Sequence, residues 1–209
     1  MGGFAPYRTF MSETAVDKIF RALMERIVTG DLPAGEKLRQ DHIARDYDVS
    51  HVPVREAFLR LEAKGLAKSI PHKGMRVTAL EPTEIREVIE MRVALEVLAL
   101  THALPRHDAD TLAQVEAARQ ACDAAQDMVL WDRCNRQFHT ALLQPCEMPR
   151  LLSAIEDLHI TAARHLFVHW RDRWTSRIDS DHDALLEAVT AQDLPRACDI
   201  LRRHLRRVS

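Results

Sequence analysis

Apolar residues recur at helical spacing along almost the whole chain, and only one short stretch alternates instead. Thr14, with Asp17 three residues on, resembles a capping box. Val16, Ile19, Phe20, Leu23 and Ile27 then share one helical face until Gly30 stops the run. Leu32-Pro33-Ala34-Gly35 is turn chemistry. A short second helix is predicted over residues 40–47, with a tight connection at Asp48 and Val49 and a third helix from Ser50 to Gly65. Ser50 suits the N-cap, and Pro53 falls in the first turn, where its missing N–H costs nothing. Residues 67–70 and 75–78 alternate around Pro71-His72-Lys73-Gly74, which predicts a hairpin. Helices joined by a short turn and followed by a hairpin make a winged helix-turn-helix. It is expected over residues 12–79, behind a flexible leader at residues 1–11.

Past a linker at residues 80–82 the strand signal disappears. Helical segments are predicted at about 83–104, 108–126, 128–144, 148–170, 175–191 and 194–207, with Pro105, Pro145, Pro149 and Pro195 at or near the breaks. Short connections imply an antiparallel bundle over residues 80–209. The fold class is therefore mainly α: a winged helix-turn-helix followed by an all-helical domain.

Composition sharpens this picture only in places. The 209 residues suffice for two modest domains, and six glycines with 5% aromatics lean towards helices. No apolar run approaches the roughly 20 residues that span a bilayer. The most apolar stretch, residues 93–100, is interrupted by Glu96. With no basic region leading into an apolar core at the N-terminus, a cytoplasmic location and no membrane partner are expected. The four cysteines form no CxxC pair and fall on predicted helices, as buried thiols would. Net charge is −2, but it is unevenly spread. Residues 1–79 hold 13 Lys/Arg against 10 Asp/Glu, whereas residues 80–209 hold 16 against 21. A mildly basic head on an acidic body fits DNA contact confined to the head.

In a helix-turn-helix the second helix enters the major groove with its N-terminal residues at the base edges. Here Ser50, His51 and Arg55 occupy that position: a hydroxyl for phosphate, a ring nitrogen, and a guanidinium able to reach guanine or backbone. The hairpin tip offers His72 and Lys73, with Gly74 allowing close approach to the minor groove or phosphates. The segment VSHVPVREAFLRLEAKGLAKSIPHKGMRV resembles the DNA-binding head of the GntR regulators over roughly residues 14–80. Val49, Ser50, Pro53, Val54, Arg55, Glu56, Ala57, Leu61, Gly65, Leu66, Gly74 and Val77 match. His51 stands where the family usually has Arg, and Asp41 where some members place a basic contact, so an altered operator is expected. Glu56 is expected to pair with Arg60 at i,i+4.

Three histidines in the body fall on inward faces. Asn135 and His139 share the stripe of Trp131, Phe138 and Leu142; His182 heads that of Leu185, Leu186 and Val189; His204 closes that of Ala197 and Leu201. Spacing alone leaves both a metal site and satisfied core histidines open. Residues 83–207 resemble the C-terminal ligand-binding domain of the FadR-like branch of GntR regulators, through NRQFHTALL, DHDALLEAVTAQDLPRAC and LRRHL. The resemblance implies a divalent metal on Asn135, His139, His182 and His204, with zinc suited to imidazole and nickel or manganese as alternatives. Asn135 replaces the family's aspartate, a neutral and weaker donor. Arg92, matching the family's R-x-x-L-E, is expected to bind a carboxylate effector, against the plainer reading of a salt bridge to Glu96. His102, His107, His159, His165 and His169 are read as structural or exposed, and Arg202, Arg203, Arg206 and Arg207 as a solvated face.

The expected function is a homodimeric repressor binding double-stranded operator DNA under the control of a small organic acid. A regulator sensing its effector without metal is the nearest alternative. A metalloenzyme is disfavoured, since the chain has no HExxH and no evident general base beside the histidines.

Overall fold

The computed structural model describes residues 13–176 and 178–207; the expected leader at residues 1–11 lies outside them. The chain divides into two compact units, one drawn from residues up to Ile27 with Leu32–Thr78, the other from Val28–Asp31 and from Ala79 onward.

In the first unit, α1 (Ala15–Val28) opens on the reciprocal Thr14–Asp17 box, Asp17 N–H donating to Thr14 Oγ1 and Thr14 N–H to Asp17 Oδ2, both at 3.2 Å. Ile19, Leu23 and Ile27 are buried at its inner face. α2 (Gln40–Asp46) and α3 (His51–Ala63) pack on each other through Ile43, Ala44, Val54, Ala57 and Phe58. Asp48 takes a positive φ of 50° in the connection, a conformation that aspartate tolerates better than most residues. Strands β1 (Ala67–Ile70) and β2 (Gly74–Val77) pair antiparallel, Ala67 opposite Val77. A pairing that the alternation does not predict adds to them. Leu38 N–H donates to Met75 O and Val77 N–H to Glu36 O, so the segment before α2 lies along β2. Arg60 pairs with Asp17 Oδ1 at 2.7 Å rather than with Glu56, which ties α3 to α1 across 43 residues.

The second unit contains α4 (Pro82–Ala103), α5 (Ala109–Asp123), α6 (Met128–Leu143), α7 (Pro149–Trp170), α8 (Ser180–Thr190) and α9 (Leu194–Arg206). Single 3-10 turns follow α4, α6 and α7. α4 packs against α6, α7 and α9. Val88, Ile89, Val93, Ala99, Leu100 and Ala103 are buried along it, and Arg92 and Glu96 are buried among them. The expected helix over 175–191 begins later, at Ser180. Asp179 accepts a hydrogen bond from Asp181 N–H at 3.0 Å and caps α8 there, leaving Trp174–Ser176 and Ile178–Asp179 non-helical. All four cysteines are free and buried.

Candidate functional site

Two regions carry chemistry, one in each unit. In the first, Ser50 sits at the N-cap of α3 with extended backbone, yet its hydroxyl makes no capping bond. His51 and Arg55 are exposed one turn apart, and no ion pair engages Arg55 among the described residues. Asp41 Oδ1 lies 3.5 Å from His51 Nε2, so the acidic residue of α2 neighbours the first ring of α3. Gln40 Nε2 donates to His51 O at 2.9 Å and fixes α2 against the start of α3. At the hairpin tip His72 adopts φ 61°, Lys73 N–H closes the turn onto Ile70 O at 3.0 Å, and Gly74 has φ 74°, which an L side chain would strain. His72, Lys73 and Gly74 are all exposed.

In the second unit a cavity of about 210 Å3 opens among α4, α6, α7, α9 and the segment before α8. Arg92, Asn135, His139 and His204 line it. Beneath it Glu96, fully buried, accepts three hydrogen bonds: from Arg92 Nε at 2.8 Å and His159 Nε2 at 2.9 Å on Oε1, and from His139 Nδ1 at 2.9 Å on Oε2. Burial pushes the Glu96 carboxyl up, but Arg92, then His139 and His159, outweigh it and hold it well below the usual range. The salt bridge foreseen as the plainer role of Arg92 is therefore present. It uses Nε alone, leaving both Nη groups without a protein partner among the described residues. His159, expected to be structural or exposed, is buried on the cavity wall and bound to the same carboxylate.

The three inward histidines converge. His139, His182 and His204 each bring a ring nitrogen within 4.8 Å of the others. Burial lowers His139 to about 4 against the pull of Glu96, and lowers His182 to about 2, so both rings are neutral at pH 7. His139 Nδ1–H donates a hydrogen bond to Glu96, while His204 Nδ1 faces Asp181 Oδ2 at 3.6 Å and Asp179 Oδ2 at 3.8 Å. Those carboxylates favour a proton on each Nδ1 rather than on Nε2, and the two Nε2 atoms lie 3.3 Å apart. Facing lone pairs repel unless a cation or a proton lies between them. Two nitrogens bound to one tetrahedral zinc at 2.0–2.1 Å would stand about 3.4 Å apart. His182 is fully buried, stacked on Phe138 with ring centroids 4.0 Å apart, and neither of its nitrogens has a partner among the described residues. Asn135 Oδ1 is likewise buried and unpartnered. Such orphaned polar atoms are costly unless something binds them. The donor set fits a divalent ion, with Glu96 and Asp181 as the outer carboxylates that orient imidazole ligands.

Sequence reasoning named Glu96 only as a partner for Arg92 and missed both its contacts to His139 and His159 and the part of Asp181. The visible signal for Glu96 was its interruption of an apolar run. Asp181, held below the usual carboxylate range by His204, Arg203 and Arg207, neighbours His182 in sequence. Through it Arg203 and Arg207, expected as solvated, are engaged by a buried carboxylate.

Comparison with known proteins gives two family matches: bacterial regulatory proteins of the gntR family over residues 15–77, and the FCD domain over residues 87–207. The HTH-type transcriptional repressor GlaR of Escherichia coli is 31% identical, covering 93% of this chain and 94% of its own length. A probable D-xylose utilization operon transcriptional repressor of Paenarthrobacter nicotinovorans is 27% identical, covering 92% and 86%. Among solved structures, E. coli McbR/YncC superposes with a TM-score of 0.79 at 23% identity, covering 93% of this chain and 94% of its own. A GntR family member from Pseudomonas syringae gives 0.56 at 29%, covering 92% and 81%. Among the described residues no helix is long and apolar enough to cross a membrane.

Proposed function

Because this chain belongs to the GntR family of bacterial transcriptional regulators, with an FCD domain behind its DNA-binding head, we propose that it is a homodimeric repressor whose hold on operator DNA is set by a small organic acid and a divalent metal in the FCD cavity. Relatives in E. coli and P. nicotinovorans are named repressors, which favours repression here, and the family's members are regulators rather than enzymes.

Ser50, His51 and Arg55 enter the major groove, and His72, Lys73 and Gly74 approach the phosphates or the minor groove. Their common exposure supports this assignment. A two-fold operator calls for two copies of the head.

The sensing half is carried by one observation: two Nε2 atoms facing at 3.3 Å beside the unpartnered nitrogens of His182. Asn135, His139, His182 and His204 would hold the metal, zinc first by donor type, with nickel or manganese as alternatives. When bound, it supplies positive charge and an open position for a carboxylate oxygen. Glu96 keeps the His139 proton on Nδ1 and Arg92 in place, so the free Nη groups of Arg92 bind the acid's carboxylate bidentately. The acid changes the operator-competent population only to the extent that it prefers one arrangement of the heads.

Anisotropy titrations with duplexes from upstream of its own and neighbouring genes test the regulator. Selective sites should bind at least about 10³ times more tightly than random DNA, and the absence of any such site would defeat it. Metal analysis with and without chelator separates metal-assisted sensing from direct sensing. The neutral amide of Asn135 gives the direct mode its one foothold.

A further inference from the structure

The chain has three tryptophans, and all three line the histidine cavity. Trp131 is buried on α6, Trp170 ends α7 half-exposed, and Trp174 follows the 3-10 turn after it. Leu166 and Ala163 of α7 extend the same apolar lining. The charged groups around the cavity are largely spent on protein partners: Arg136 on Asp132, Arg207 on Asp181, and Arg92 through Nε on Glu96. An acid bound here therefore meets one set of free polar donors and, for the rest of its length, indole faces and aliphatic side chains.

A second carboxylate among those indoles would lose its hydration with Arg173 and the Thr175 hydroxyl to meet it, and Arg173 stands in solvent, where an ion pair is weak. A flat apolar ring would be matched by the tryptophans in offset or edge-on contact. The volume of about 210 Å3 has room for a single ring with a short side chain.

We propose that the acid is a one-ring aromatic carboxylate, its carboxylate towards Arg92 and the histidines and its ring among Trp131, Trp170 and Trp174. This rests on the organic-acid reading above.

Calorimetric titration of the zinc-loaded full chain tests it, with benzoate, phenylacetate, acetate, succinate and benzyl alcohol as probes. Intrinsic emission serves as a second readout, because every tryptophan borders the cavity. Benzoate or phenylacetate should bind at least tenfold more tightly than acetate or succinate and alter the emission saturably. Trp170→Ala, at a half-exposed helix end, should shrink that preference at least threefold while leaving acetate binding unchanged. Succinate binding more tightly than either aromatic acid, with the advantage lost in Arg173→Ala, overturns the proposal and leaves organic-acid sensing standing. An aromatic preference that survives Trp170→Ala and Trp174→Ala together also overturns it. Benzyl alcohol binding as well as benzoate, or no carboxylate binding at all, overturns the organic-acid reading itself, and this proposal with it.

Discussion

Glu96 has more consequence than any other side chain of the FCD unit, because three buried groups from three helices depend on its charge. Its substitution by glutamine keeps the shape and removes the anion, leaving the largely buried Arg92 guanidinium on the cavity wall without its counter-charge. Breaking a buried pair in this way costs about 3–5 kcal/mol. At roughly 2–4 °C per kcal/mol for a chain of this size, Glu96→Gln should melt about 6–20 °C below wild type in a thermal scan. A shift within 2 °C would mean that water or a proton already compensates Arg92. In the head, the proposed DNA contacts of Arg55 and Lys73 predict different behaviour. Arg55→Ala should cost about 1–3 kcal/mol at the operator and relax base preference. Lys73→Ala should weaken all duplexes alike and reduce the slope of log affinity against log salt by about one. Both are read from the same anisotropy titrations at several salt concentrations, and interchanged behaviour would reverse the two assignments.

At the scale of elements, helices announce themselves where their causes are local. The Thr14–Asp17 box, Pro53 in the first turn of α3 and Pro149 at the start of α7 are sequence-adjacent causes, and those helices lie where the pattern predicts. The late start of α8 is different, since Asp179 can cap from one residue before Ser180 while the apolar spacing upstream still looks helical. Pairing of residues 35–38 along β2 is a contact across some 40 residues, with no local trace. The same distance rule governs the site. The inward faces of His139, His182 and His204 are periodic and therefore legible, whereas the role of His159 depends on a carboxylate 63 residues away. α5 and α8 are joined by a device of this long-range kind: Arg119 holds Glu116 at 2.7 Å, Asp123 at 2.7 Å and Asp183 at 2.7 Å. The hydrogen bond from Arg119 lowers Glu116 from 4.5 to about 2. A carboxyl depressed on folding contributes stability that is full above its unfolded value and is lost as pH falls through the folded one. Wild type should therefore exceed Arg119→Ala in denaturant midpoint above pH 4.5, and the gap should close as pH falls towards 2. A gap independent of pH would assign the effect of Arg119 to packing of its aliphatic stem.

At the scale of the whole molecule, the four donors come from α6, α8 and α9, and residues 135 and 204 are far apart in sequence. An ion on Asn135, His139, His182 and His204 would join three helices that the unfolded chain has no means of gathering, so its binding energy would add to folding. Binding at 100 times Kd stabilises by about 2.7 kcal/mol. For 209 residues that corresponds to roughly 5–10 °C in melting temperature. Chelation should lower the midpoint by that amount, and zinc should restore it. His182→Ala should melt at one temperature under both conditions, because it removes the ring whose nitrogens have no other partner. The wild-type shift also discriminates between the ways the facing Nε2 atoms of His139 and His204 can be reconciled. If a proton rather than a metal lies between them, chelator and zinc will leave wild type unmoved. Sensing would then fall to Arg92 and the apolar lining alone.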